Sequence, residues 1–125
     1  MKNLIDDYLK WLKERTIINP IGEWYEITTP FLNRHNDYIQ IYAKKETEDR
    51  IILTDDAETL NEMELSGFNL NSPRNKRELE IILNGYGVIL EEKKLISVSD
   101  RRSFPEKKHN LIQAILSING LRYLL

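Results

Sequence analysis

Apolar residues recur at helical spacing from Leu4 to Arg15. Leu4, Ile5, Tyr8, Leu9, Trp11 and Leu12 form one stripe, and Asp6, Asp7, Lys10, Lys13 and Glu14 fill the other face. Spacings of three and four bring side chains onto one side of an α-helix, so the segment is predicted to be an amphipathic helix. Asn19-Pro20-Ile21-Gly22 reads as a break after it. Beyond the break the period shortens to two. Tyr25, Ile27 and Thr29 alternate with Trp24, Glu26 and Thr28 until Pro30 stops the strand. Between Asp37 and Lys45, Ile39, Ile41 and Ala43 share one face, while Tyr38, Gln40, Tyr42 and Lys44 share the other. Glu46 to Asp49 has the length of a hairpin connection, and Arg50 to Thr54 is the return strand. A half-apolar face such as that of Tyr38 and Tyr42 ordinarily lies beneath a helix; its other use is as a recognition surface.

Asp55 with Glu58 has the spacing of a capping box, opening a short helix through Leu60 and Met63 that Gly67 ends. Ser72-Pro73 starts another, with Leu79, Ile82 and Leu83 as its buried stripe and Gly85 as its stop. Val88 to Leu90 and Leu95 to Val98, joined through Glu91 to Lys94, form a second hairpin. Ser103 with Glu106 is a second capping box, with Pro105 in the first turn, and leads a helix toward Asn119. That helix is apolar at Leu111, Ile112, Ala114, Ile115, Leu116 and Ile118, and Leu121, Tyr123, Leu124 and Leu125 continue the character. One stripe facing one core needs fewer apolar positions. The helix is therefore either buried on both sides or awaits a partner, a second copy making a homodimer or a following domain. With no repeat or linker, residues 1–125 read as a single α+β domain of order α-β-β-β-α-α-β-β-α with a mainly antiparallel sheet.

Composition narrows the class. An apolar fraction of 41% and a charged fraction of 30% belong to a globular chain, and no apolar run approaches a membrane span. With Asp6 and Asp7 near the start no signal peptide is visible, which leaves the cytoplasm as the expected compartment. The absence of cysteine excludes disulfides and thiolate metal sites. A net charge of −2 gives no whole-molecule pull toward nucleic acid or acidic lipid. The halves differ, residues 1–62 carrying −5 and residues 63–125 carrying +3.

Asp37, Asp55 and Asp56 fall at one end of the first hairpin if Lys45 sits opposite Arg50, with His35 and Asn36 just outside. Carboxylates and an imidazole at one strand edge suit Mg²⁺ or Mn²⁺ and a water poised for phosphodiester attack. The plainer reading gives Asp55 a capping role, Asp37 an Asx-type turn and Asn36 a loop. An acidic-x-Lys pair on the following strand, which a restriction-type nuclease wants, is absent from Arg50 to Thr54. His35 and His109 are far apart in sequence, so a zinc site has no local support, and no cofactor is expected. Arg74, Lys76, Arg77, Arg101, Arg102, Lys107 and Lys108 stand at two helix starts, where they either hold phosphate or are scattered solvated charge.

Several phrases resemble an uncharacterised bacterial and phage family, domain of unknown function 1828: Asp7-Tyr8-Leu9-Lys10-Trp11-Leu12, Ile27-Thr28-Thr29-Pro30-Phe31, Arg34-His35-Asn36-Asp37-Tyr38-Ile39, Leu53-Thr54-Asp55-Asp56, Leu65-Ser66-Gly67 and Lys108-His109-Asn110-Leu111-Ile112-Gln113-Ala114. The resemblance implies Gly after the paired aspartates. Ala57 stands there instead, which weakens the case that the turn needs a positive φ. It also implies an intracellular protein of bacteria or their mobile elements, often followed by a second domain, and it supplies no activity.

The expected function is that of a small non-enzymatic phage or prophage protein docking on a host protein or nucleoprotein, an anti-CRISPR inhibitor of host defence being one concrete form. Its expected binding residues are Arg34, His35, Asn36 and Asp37 with Arg101, Arg102, Lys107 and Lys108. The alternative is a metal-dependent nucleic-acid-processing enzyme with Asp37, Asp55 and Asp56 as ligands and His35 as general base. A third reading is a nucleic-acid-binding regulator using the basic second half. No membrane partner is expected.

Overall fold

A computed structural model describes residues 1–124, the side chains of 122–124 excepted. Along it run helix α1 (Lys2–Glu14), strands β1 (Ile17–Ile21), β2 (Trp24–Leu32), β3 (Tyr38–Thr47) and β4 (Arg50–Thr54), helices α2 (Glu58–Leu65) and α3 (Pro73–Tyr86), strands β5 (Ile89–Glu91) and β6 (Lys94–Ser99), and helix α4 (Phe104–Leu124). The strands form one antiparallel sheet of order β1-β2-β3-β4-β6-β5. The expected α+β class, antiparallel sheet and element order all stand.

The two-residue period decides which face is buried. Ile27 on β2, Ile39, Ile41 and Ala43 on β3, Leu53 on β4 and Leu95 on β6 point to the same side. There they meet Leu60 and Met63 of α2, Leu79 and Leu83 of α3, and Leu111, Ala114, Ile115 and Ile118 of α4. Helix α4 is the keystone of this layer, packing on β4 and β6 from one side and on α2 and α3 from the other. Its surplus of apolar positions is consumed by that two-sided burial: Leu111, Ile112, Ala114, Ile115, Ile118 and Leu121 are all buried. Among the described residues only Leu116 of its large apolar side chains is exposed. Tyr123, Leu124 and Leu125, expected to continue the apolar face, lie outside the residues whose side chains are described.

Several local expectations are corrected. The break expected at Asn19–Gly22 is an added strand, β1, turned back onto β2 at Gly22 with φ +60°. Pro20 is tolerated because β1 is an edge strand, where a missing N–H costs no ladder bond. Helix α3 runs through Gly85 and stops at Gly87, whose φ of +65° lets its N–H reach the Asn84 and Leu83 carbonyls. Ser72 caps that helix as expected, accepting from the Asn75 N–H. The Asp55/Glu58 capping box does not form. The residue preceding α2 is Ala57, held left-handed at φ +68°, so the turn takes a positive φ even without the glycine that the resemblance implies there. Ser103 bonds with Asp100 instead of closing a box with Glu106.

Helix α1 has the predicted amphipathic pattern, and its stripe is exposed at Leu4, Ile5, Tyr8, Leu9 and Trp11, with Leu12 alone half-buried. No residue of α1 is buried, and among the described residues it makes no substantial contact with another element. Its last turn runs straight into β1: the Thr16 hydroxyl donates to the Leu12 carbonyl, and the Arg15 and Thr16 N–H groups to those of Trp11 and Lys13.

Candidate functional site

Asp55 is 1% exposed, and its carboxylate is spent on the backbone. Oδ1 accepts from the N–H groups of Ala57 and Leu95, both at 3.0 Å, and Oδ2 from that of Thr59, also at 3.0 Å. The Thr59 bond satisfies one of the free donors that begin α2, and the Leu95 bond ties that helix start to β6. Asp56 points outward, with Lys94 4.0 Å away. Among the described residues no group of three His, Cys, Asp or Glu side chains could hold a metal ion.

The turn before β3 is organised by Asn33 and not by Asp37, the Asx-type residue expected there. Asn33 Oδ1 accepts from the His35 and Asp37 N–H groups, and Asn36 takes φ +63°. The Asn-x-His-Asn spacing itself signals an Asx turn that the charged neighbours obscured. Next to the turn, His35 Nε2 lies 3.1 Å from Glu62 Oε2, and Arg34 reaches the Met63 sulfur at 3.3 Å. Both contacts fasten the turn to α2. A small cleft opens between them, lined in part by Gln40, Glu58, Glu62 and Asn119, and the buried Asn119 Nδ2 has no hydrogen-bond partner among the described residues. Partial burial, then the charges of Glu62, Asp55, Asp37 and Asp56, push the Glu58 carboxyl up from its ordinary value. The structure thus brings Asp37, Asp55, Asp56 and His35 to one end of the sheet, with Asp55 committed to backbone donors.

The basic residues do not join them. Thr54 pairs with Ile96 and Ile51 with Ser99, so β6 ends at the opposite end of the sheet from Asp55. Arg101 and Arg102, exposed, follow there, and Lys107 and Lys108 occupy the first turns of α4. Burial pulls the Lys108 ammonium below its ordinary value. The eight expected binding residues are therefore two groups at opposite ends of the sheet.

The outer face of the sheet is a feature that the sequence hints at only in the Tyr38 to Lys44 alternation. Among the described residues no helix lines the outer face of the sheet, contrary to the expectation that one would lie over it. Across that face runs a groove of about 590 Å³ lined by Ile21, Trp24, Tyr42, Ile52, Ile96 and Val98, with Ile89 at its far edge. Arg50, Asp56, Glu91 and Lys94 form its charged rim, and Lys44 pairs with Glu23 at 3.1 Å while lying 5.8 Å above the Trp24 ring. Burial, then the Glu26 charge, pushes the Tyr42 phenol up from its ordinary value. Beyond the edge of this sheet stands the bare stripe of α1, with Leu4, Ile5, Tyr8 and Leu9 each at least half exposed. Tyr8 and Trp11 stack with centroids 6.3 Å apart, and Arg15 lies 5.6 Å over the Trp11 ring. Among the described residues no helix is long and apolar enough to cross a membrane.

A family model described as "Domain of unknown function DUF1828" matches residues 29–118, beginning after α1 and β1. No curated protein and no solved structure matches the chain.

Proposed function

The chain belongs to the family described as Domain of unknown function DUF1828, and from that premise we propose that it works by docking onto other protein surfaces and not by catalysis. One observation carries the reading: among the described residues, the stripe of α1 and the apolar groove on the outer sheet face have no covering layer. Monomeric globular proteins rarely expose contiguous apolar patches beyond a few hundred Å², and larger ones mark interaction sites. Support comes also from the acidic end, where the best placed carboxylate, Asp55, has its oxygens engaged by three backbone donors. A host protein or nucleoprotein of a bacterium is the partner this reading takes from the resemblance, and inhibition of a defence nuclease is its sharpest form. The polar turn of Arg34 to Asp37 offers such a partner a specific edge beside the apolar area.

Affinity capture from bacterial lysate, run beside a solution mass measurement, tests the reading. The expected result is a stoichiometric complex, with host protein or with itself, that Trp11→Glu abolishes. A monomer that captures nothing, or a complex indifferent to the substitution, overturns it.

A further inference from the structure

Helix α1 has 13 residues. Isolated helices shorter than about 12–15 residues are marginal in water, and most helical stability in proteins comes from packing an amphipathic face. No residue of α1 is buried, and no side chain caps its N-terminus. Its persistence therefore calls for a surface that the described residues of a single chain do not give it. The outer face of the sheet poses the converse problem, an apolar groove with no helix on it.

The two unpartnered surfaces match. At 1.5 Å per residue α1 is about 20 Å long. The groove runs across the strands from Ile21 on β1 to Ile89 on β5, five strand spacings or about 24 Å. Both surfaces pair an apolar centre with charges of both signs. On α1, Lys2, Lys10 and Lys13 balance Asp6, Asp7 and Glu14. On the sheet, Lys44, Arg50 and Lys94 are interspersed with Glu23, Glu26, Asp56 and Glu91. A helix of zero net charge has no electrostatic pull toward an anionic membrane, which weighs for a protein surface over a lipid one. We propose that two copies of this chain exchange their α1 helices, each helix lying across the open sheet face of the other. The arrangement is isologous and closed, so it stops at a dimer. Two such helix-on-sheet contacts together bury on the order of 2,000 Å², within the range of stable interfaces.

This inference deepens the docking reading by naming a second copy as the occupant of the apolar area, and it leaves the Arg34 to Asp37 edge free for another partner. Both tryptophans of the chain take part, Trp11 on the helix and Trp24 in the groove. Because the chain has no cysteine, introduced thiols report without background. Sedimentation and tryptophan emission are followed from about 0.1 to about 100 µM, a span bracketing the affinity of such an interface. The expected result is a dimer that dissociates on dilution with a red shift in emission. Leu9→Glu, at a residue that contacts no core, is expected to stay folded and raise the dissociation constant at least about 100-fold. The double variant Leu9→Cys/Ile52→Cys is expected to oxidise to a covalent dimer. A wild type monomeric throughout, a dimer unaffected by Leu9→Glu, or a double variant that closes within one chain overturns the exchange. So does a monomer whose α1 binds phospholipid vesicles. A monomer that still captures a host protein through Trp11 overturns the exchange alone, whereas one that captures nothing removes the docking reading with it.

Discussion

Replacing Asp55 by alanine removes a buried acceptor on which three backbone donors depend. Two of them, the Thr59 and Leu95 N–H groups, are bonded in buried surroundings, and the Ala57 N–H in partly buried ones. A buried donor left unpaired costs about 1–3 kcal/mol, so two of them cost about 2–6 kcal/mol before relaxation. Some water reaches Ala57, and we expect a net loss of about 4 kcal/mol, a large share of the stability of a domain this size. In urea, with a slope of about 1.5 kcal/mol/M, the midpoint falls by about 2–3 M. Far-ultraviolet circular dichroism reads the transition. The exposed neighbour supplies the control: Asp56→Asn keeps a side chain that tolerates φ +57° and is expected to stay within about 0.5 kcal/mol of wild type. Asp55→Ala with an unchanged midpoint refutes the assignment of that carboxylate to architecture. A variant more stable than wild type does so more strongly, because strained catalytic carboxylates behave that way.

Two further outcomes follow from the same end of the sheet. Ala57→Gly removes a left-handed penalty at φ +68° and is expected to gain about 0.5–1 kcal/mol after the extra entropy of glycine in the unfolded chain; a loss of stability in thermal unfolding contradicts it. The carboxyl of Glu58 holds its proton to higher pH in the fold than in the unfolded chain. Its stabilising contribution is thus complete below its ordinary value and is lost as pH rises through the folded value. Glu58→Gln should flatten that segment of the stability–pH profile and raise neutral stability by on the order of a few tenths of a kcal/mol, solvent screening keeping the effect small. A parallel profile in the variant refutes this.

Periodicity made most of the fold legible, because the sheet buries one face and α4 buries two. The alternation of Ile39, Ile41 and Ala43 located β3, and the crowded apolar positions of α4 matched one of its two readings. Strand β1 stayed hidden because Pro20 reads as a breaker, and only the sheet edge makes it harmless. The Ala57 turn is hidden for a related reason: the residue type at 57 gives no sign of the positive φ that Asp55, the first residue of the turn, holds by clamping Ala57, Thr59 and the distant Leu95 together. Clustering of Asp37, Asp55 and Asp56 is legible from the hairpin, although its register is one residue off the expected one, Lys45 pairing with Ile51 and Arg50 with Thr47. The separation of Arg101 and Arg102 from them depends on β6 pairing with β4, from Thr54 with Ile96 to Ile51 with Ser99. The open sheet face was the least legible feature. A pattern of alternating residues shows that a strand has an apolar side, and nothing in it says whether a helix arrives to cover that side.

Amide hydrogen exchange across α1 tests most directly whether its stripe is a docking surface. If it is, the N–H groups from Ile5 to Glu14 exchange slowly in concentrated protein and lose that protection on dilution, while α4 stays protected throughout. Exchange at α1 as fast as in an unfolded peptide under every condition, including with any captured partner bound, contradicts the account.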